Sequence, residues 1–203
     1  MGEIQVVPPA LDRLVRSFSS LPGIGTKTAT RLALTILRKP AADAREMAAA
    51  LSELHGSIRL CSHCMAFSET DPCSVCGDPR RDGSLVCVVE QPADLMAIEK
   101  TDHYRGHYHI LHGVLSPVDG IGPEELKIKE LVARLKSGTI SEVLIATSST
   151  VPGEATASYL IDTLGRFQVK LSRLACGIPM GMDIKYADQH TLARAIESRF
   201  NAS

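Results

Sequence analysis

Leu85-Val86-Cys87-Val88-Val89-Glu90 is the stretch that decides the fold of this 203-residue chain. Five apolar residues in a row, without polar alternation, suit a strand buried on both faces, as in a parallel sheet covered by helices. Downstream the same texture recurs. Helix signals cover 92–100, opening at Pro92, which has no N–H to lose at a helix start, and then 124–136, 153–165 and 190–200. Strand signals fall at Tyr108 to Leu111, Glu142 to Ala146 and Gln168 to Leu174, with a Gly/Pro-rich loop from His112 to Pro123. Strand and helix alternate through short loops, which predicts an α/β fold built on a parallel sheet.

Immediately upstream, four of the six cysteines fall in two pairs, Cys61-Ser62-His63-Cys64 and Cys73-Ser74-Val75-Cys76. A two-residue gap lets both thiolates of a pair turn back onto one metal ion, and two pairs complete a tetrahedron of sulfur, the geometry of structural zinc. A closed four-thiolate shell leaves no position for water or substrate, so the expected cofactor is one structural Zn2+ ion per chain. The segment has few apolar residues, and metal binding is expected to supply most of its folding energy. A redox-active pair and an iron–sulfur cluster are the alternatives for such a cysteine set, and His63 is an alternative ligand. Cys87 and Cys176 lie in apolar stretches and read as small buried hydrophobes.

Further upstream the chain reads as helical. Leu11, Leu14, Val15 and Phe18 make one apolar face. Leu21-Pro22-Gly23-Ile24-Gly25-Thr26 then breaks the helix, and a second helix, capped by Thr26, runs to about Arg38 before Pro40 stops it. A third, Ala-rich helix carries Met47, Leu51, Leu54 and Ile58 at helical spacing. Gly23 and Gly25 permit close backbone approach, and the amides opening the next helix point at whatever lies there. A phosphate held by those amides would gain charge from Lys27 and Arg31; a plain tight turn between packed helices is the alternative. Residues 1–60 hold eight Lys/Arg against five Asp/Glu, while 84–203 hold twelve against fourteen. The net charge of −1 conceals a basic amino-terminal end, where any DNA contact is to be sought.

No apolar run approaches the ~18 residues needed to span a membrane. Met1 to Pro9 lacks the basic and apolar regions of a signal peptide, so the expected location is the cytoplasm, with nucleoid association when DNA is bound. His103, His107, His109 and His112 lie close together without an acid or cysteine at ligand spacing, and read as a polar strand edge and not as a metal site.

Leu21 to Arg31 resembles the helix-hairpin-helix DNA-binding element, with Thr26 where that element more often has Pro. Val88 to Asp94, His112 to Glu124 and Ala146 to Thr156 resemble a Toprim domain. In this order and at this length, hairpin, four-cysteine module and Toprim domain resemble the RecR family of bacterial recombination-repair proteins over essentially the whole chain. The implied organisation is a helical helix-hairpin-helix region at 1–60, a C4-type zinc finger at 61–83, a Toprim domain at 84–175 and a Walker B-like oligomerisation segment at 176–203.

Toprim domains of topoisomerases and primases hold magnesium through a glutamate and an Asp-x-Asp pair. Here Glu90 matches the glutamate, but Ser148 and Thr150 stand where the aspartates would be, and Pro152 replaces a further acid. Without those hard oxygen ligands, a magnesium-dependent activity is not expected. The chain also departs from the RecR pattern at Ser148-Ser149, where the family usually has Asn-Pro, at Pro152, where it has an acid, and at Met182 and Lys185, where it has Gly and Glu. The resemblance implies a non-catalytic DNA clamp or scaffold forming a dimer or tetrameric ring. Its implied partners are RecO and RecF, with which it loads RecA at gapped or single-stranded DNA. The implied DNA-contacting residues are Gly23, Gly25, Lys27 and Arg31, the zinc ligands Cys61, Cys64, Cys73 and Cys76, and the candidates for partner binding Glu90, Asp94 and Glu154.

Overall fold

A computed structural model describes residues 7–199. Residues 1–6 of the amino-terminal reading, and the end of the last expected helix at 200, lie outside the described residues. The chain forms two compact units, Met1–Ile58 and Arg59–Ser203.

The first unit holds three helices, α1 (Pro9–Ser19), α2 (Thr26–Arg38) and α3 (Ala41–Ser57). Ala29 and Ala33, one turn apart on α2, are its fully buried side chains, and their small size brings α1 and α2 close together. Pro40 has no N–H to continue α2 and becomes the N-cap of α3. The helix start predicted at Thr26 is observed, but the capping residue is Gly25, whose extended backbone (φ −75°, ψ 162°) performs that role. Met47, Leu51 and Leu54 lie on a helix as their spacing predicts, and all three side chains remain exposed.

The second unit begins with a short antiparallel pair, β1 (Arg59–Leu60) and β2 (Phe67–Ser68), that frames the first cysteine turn. Beyond the second turn lies a four-stranded parallel sheet in the order β4-β3-β5-β6. Its strands are β3 (Asp82–Val89), β4 (Gly106–Ile110), β5 (Glu142–Ile145) and β6 (Lys170–Arg173). Helices α4 (Pro92–Glu99), α5 (Ile128–Leu135) and α6 (Val151–Leu164) make the crossovers, and α7 (Gln189–Glu197) follows the sheet. Strand β3 sits inside the sheet, with Val88 opposite His109 on one side and Ile145 on the other. Its side chains alternate between two cores. Val86 and Val88 join Val143, Ile145, Leu131, Leu135, Leu160 and Leu164 under α5 and α6. Cys87 and Val89 join Tyr108 and Ile110 on the face covered by Leu95 and Ile98 of α4. Burial on both faces is the physical reason for the unbroken apolar run.

Two expectations change. Cys176 is half-buried, its Sγ 3.5 Å from Ser149 Oγ, because it falls past the end of β6, outside the sheet. His109 is not on a polar edge: it is fully buried, with Nε2 2.6 Å from the Lys127 carbonyl, since the cysteine turn and α5 enclose the outer margin of β4.

Candidate functional site

The four sulfur atoms of Cys61, Cys64, Cys73 and Cys76 lie within 4.8 Å of one another, close enough to share a metal ion. Cys64 and Cys73 Sγ are 3.5 Å apart, near the edge of about 3.8 Å that a tetrahedron with zinc–sulfur bonds of about 2.3 Å requires. The Cys73 amide points at Cys61 Sγ and the Cys76 amide at Cys73 Sγ, both at 3.4 Å, so backbone dipoles already face the sulfurs. Cys64 is drawn down to about 5, first by the hydrogen bond from the Cys76 thiol. Cys73 is pushed up to about 11, mainly by burial, and Cys76 also rises because its thiol donates to Cys64. Only one charge is comfortable in such a cluster without a cation, whereas a divalent ion stabilises four thiolates together. The residues therefore fit a closed metal site.

The first cysteine turn is fastened to the sheet by three consecutive carbonyls. His63 O accepts from Arg134 Nη1 at 3.3 Å, Cys64 O accepts from the Ile110 amide at 2.9 Å, and Met65 O lies 2.6 Å from His112 Nε2. Arg134 also donates to Tyr108 O at 2.7 Å, so a single guanidinium ties α5, β4 and the cysteine turn together. Met65 and His112 both adopt left-handed backbone, φ 61° and 62°, a costly conformation for side-chain-bearing residues that their mutual contact holds in place. No local pattern in the sequence marks Arg134 or His112 for this role, because their partners lie 71 and 47 residues away.

At the carboxyl ends of the strands the three acidic candidates have separate partners. Glu90 Oε1 accepts the Ser148 amide at 2.6 Å. Asp94 closes a reciprocal capping box at the start of α4, accepting the Gln91 amide at 2.8 Å. Glu154 forms a two-pronged pair with Arg173 at 2.7 and 3.0 Å, and Arg194 of α7 approaches to 3.6 Å. The Arg173 guanidinium holds the Glu154 carboxyl below its ordinary range. Glu90 and Asp94 line a shared cavity of about 350 Å3 with Arg173, whereas Glu154 faces a neighbouring one of about 550 Å3 beside Arg194. The Ser148 and Thr150 hydroxyls bond each other at 2.8 Å, and Thr150 caps α6 by accepting from the Gly153 amide at 3.2 Å. Hydroxyls so engaged contribute no charge toward a magnesium ion.

In the first unit, Gly23 turns the chain with φ +79°, where a Cβ would strain the backbone. No side chain caps α2 and no acid stands in its first turn. Lys27 and Arg31, one turn apart on that helix, are exposed and have no acidic partner among the described residues. Backbone amides, a helix dipole and two cations thus converge at one surface.

A glycine-turned helical pair, a four-thiol cluster and a parallel sheet whose acidic end lacks the Asp-x-Asp pair fit a Toprim-containing protein with a helical amino-terminal unit. The chain belongs to the RecR family. The family model described as RecR, helix-hairpin-helix, matches residues 11–55, the Toprim domain model residues 84–175, and the RecR C-terminal model residues 177–199. The protein named Recombination protein RecR of Moorella thermoacetica is 52% identical, over 95% of this chain and 96% of its own length. Its namesake in Anaeromyxobacter sp. strain Fw109-5 is also 52% identical, over 95% and 98%. That of Clostridium perfringens is 46% identical, over 97% and 98%. Among the described residues no helix is long and apolar enough to cross a membrane.

Proposed function

We propose that this protein is a non-catalytic, sequence-independent DNA clamp of recombinational repair, working in the cytoplasm as a dimer or tetrameric ring. In this reading it acts with RecO and RecF to load RecA at gapped or single-stranded DNA. Residues 1–60 hold the DNA, with the amides after Gly23 and Gly25 on phosphate and Lys27 and Arg31 adding charge. Residues 61–83 carry one structural zinc ion on Cys61, Cys64, Cys73 and Cys76. Residues 84–175 present Glu90, Asp94 and Glu154 to partners, and 176–203 join neighbouring subunits.

The observation that carries the reading is the start of α2, which has no side-chain cap and no acid in its first turn, beside exposed Lys27 and Arg31, in a segment matching the RecR hairpin model. The absence of turnover is supported by Ser148 and Thr150 standing where acids would be needed, and by Glu90 already bonded to the Ser148 amide.

The test incubates full-length protein with labelled gapped DNA and magnesium or manganese, resolved on native and denaturing gels. Retarded, uncut DNA is expected, with retardation lost in a Lys27→Ala/Arg31→Ala variant. Unchanged affinity and salt dependence in that variant would remove the hairpin assignment. Cleavage that disappears with Glu90→Ala would overturn the non-catalytic reading.

A further inference from the structure

Helices α5 and α6 lie side by side on one face of the sheet, sharing the core of Leu131, Leu135, Leu160 and Leu164. Between their outer surfaces runs a groove of about 300 Å3 lined by Glu124, Lys129, Lys136, Tyr159, Thr163 and Arg166 among others. At one end Lys129 is neutralised by Glu124. At the other, Lys136 and Arg166 are exposed and have no acidic partner among the described residues. Arg166 is steadied over the Phe167 ring, 5.3 Å from its centroid. Tyr159 and Thr163, half-buried residues that also line the groove, have hydroxyls without a protein partner among the described residues.

A cation at the carboxyl end of a helix is favoured by the helix dipole, which accounts for Lys136 as the C-cap of α5 and for Arg166 just past α6, each taken singly. It does not account for both cations lining one groove with two neutral donors and no acid at that end. Two charges plus adaptable hydroxyl donors suit a ligand with several anionic oxygens in series, the pattern of a nucleic-acid backbone. Because α5 and α6 run against the strands, this end of the groove lies at the amino ends of the strands, away from Glu90 and Asp94.

We propose that the α5–α6 groove is a second DNA-backbone contact, in which Lys136 and Arg166 bind phosphates and Tyr159 and Thr163 donate hydrogen bonds to them. This rests on the DNA-clamp reading above, but not on the hairpin.

The test measures binding of labelled gapped DNA to the full chain by fluorescence anisotropy over a series of salt concentrations. Each phosphate contact contributes about 0.9 to the slope of log affinity against log salt. Lys136→Glu/Arg166→Glu is expected to lower that slope by about 2. The affinity lost between about 50 and about 200 mM salt should then shrink roughly tenfold. Lys100→Glu/Arg105→Glu, an equal charge change at the end of α4 across the sheet, controls for the overall field and should leave the slope nearly unaltered. Equal slopes in the groove and control variants would overturn the proposal. A hairpin variant without effect beside a weakened groove variant would instead sink the hairpin reading alone. Tyr159→Phe/Thr163→Val keeps every charge; lowered affinity at an unchanged slope is expected, and unaltered affinity would remove the hydroxyls from the contact.

Discussion

Arg81, just ahead of β3, reaches α4 and β4 through one carboxylate. Its Nη1 and Nη2 donate to Glu99 at 3.0 and 2.5 Å, Nη1 also donates to Gly106 O at 3.0 Å, and the Tyr108 hydroxyl donates to Glu99 at 2.6 Å. The Arg81 side chain is 11% exposed and that of Glu99 27%. Removing one member of a fully buried pair costs about 3–5 kcal/mol, and an exposed pair is worth about 0–1 kcal/mol. Intermediate burial places Glu99→Gln at about 2–3 kcal/mol, with Arg81 left charged and half-satisfied. A double-mutant cycle with Arg81→Met should return a coupling of about 2 kcal/mol, since the two variants remove the same contact. Urea unfolding followed by tyrosine fluorescence is a suitable assay: the chain has no Trp, and Tyr104, Tyr108, Tyr159 and Tyr186 all lie in the second unit. Burial pushes the Glu99 carboxyl upward, but the hydrogen bonds from Arg81 and Tyr108 outweigh it and hold it below its ordinary value. Its stabilisation is therefore present above the unfolded carboxylate pKa and lost as pH falls through the folded one, so Glu99→Gln should flatten that acid limb. A coupling below about 0.5 kcal/mol would refute the reasoning, because independent sites add to within that margin.

Three further outcomes are expected. His109 is pushed down to about 4 by burial, beside Arg134 and Glu130 of α5 and the His63 carbonyl. Its contribution is complete above its ordinary value of about 6.5 and is lost as pH falls toward 4. His109→Gln should remove up to about 3 kcal/mol of pH-dependent stability in that window, and equal acid unfolding curves would count against it. A Cβ at Gly153 would stand 2.2 Å from Ser148 O and 2.9 Å from Glu90 Oε1, so Gly153→Ala should cost about 2 kcal/mol or more by the same urea assay. Chelation of the metal, or Cys64→Ser, should speed hydrogen exchange at the Ile110 amide, whose acceptor is Cys64 O; unchanged exchange would show that the turn holds its shape without metal.

The sheet was legible because β3 needs apolar side chains on both faces, and the alternation of helix and strand leaves little freedom in topology. Breakers at Pro40, Pro92 and Gly25 marked helix limits to within a few residues. The cysteine cluster was legible because its chemistry depends on local spacing. What did not show was every feature depending on distant partners: Arg134 on His63, Arg173 on Glu154, and the burial of His109. The start of α5 differs as well: the sequence suggests a helix from 124, whereas Glu125 accepts from the Gly122 amide and the helix opens at Ile128. Glu90 stands out in the sequence by its place in the Toprim-like stretch, but its engagement by the Ser148 amide follows only from folding.

The hydrogen bond from Ile110 to Cys64 makes the cysteine turn a lid along the outer margin of β4, leaving β6 as the other margin of the sheet. There Lys170 and Arg173 charge the border, a common safeguard against unwanted strand addition. Release of the cysteine turn would strip the guard from the β4 side and expose unpaired backbone beside Tyr108 and Ile110. An edge opened in that way is a template for strand addition by another chain.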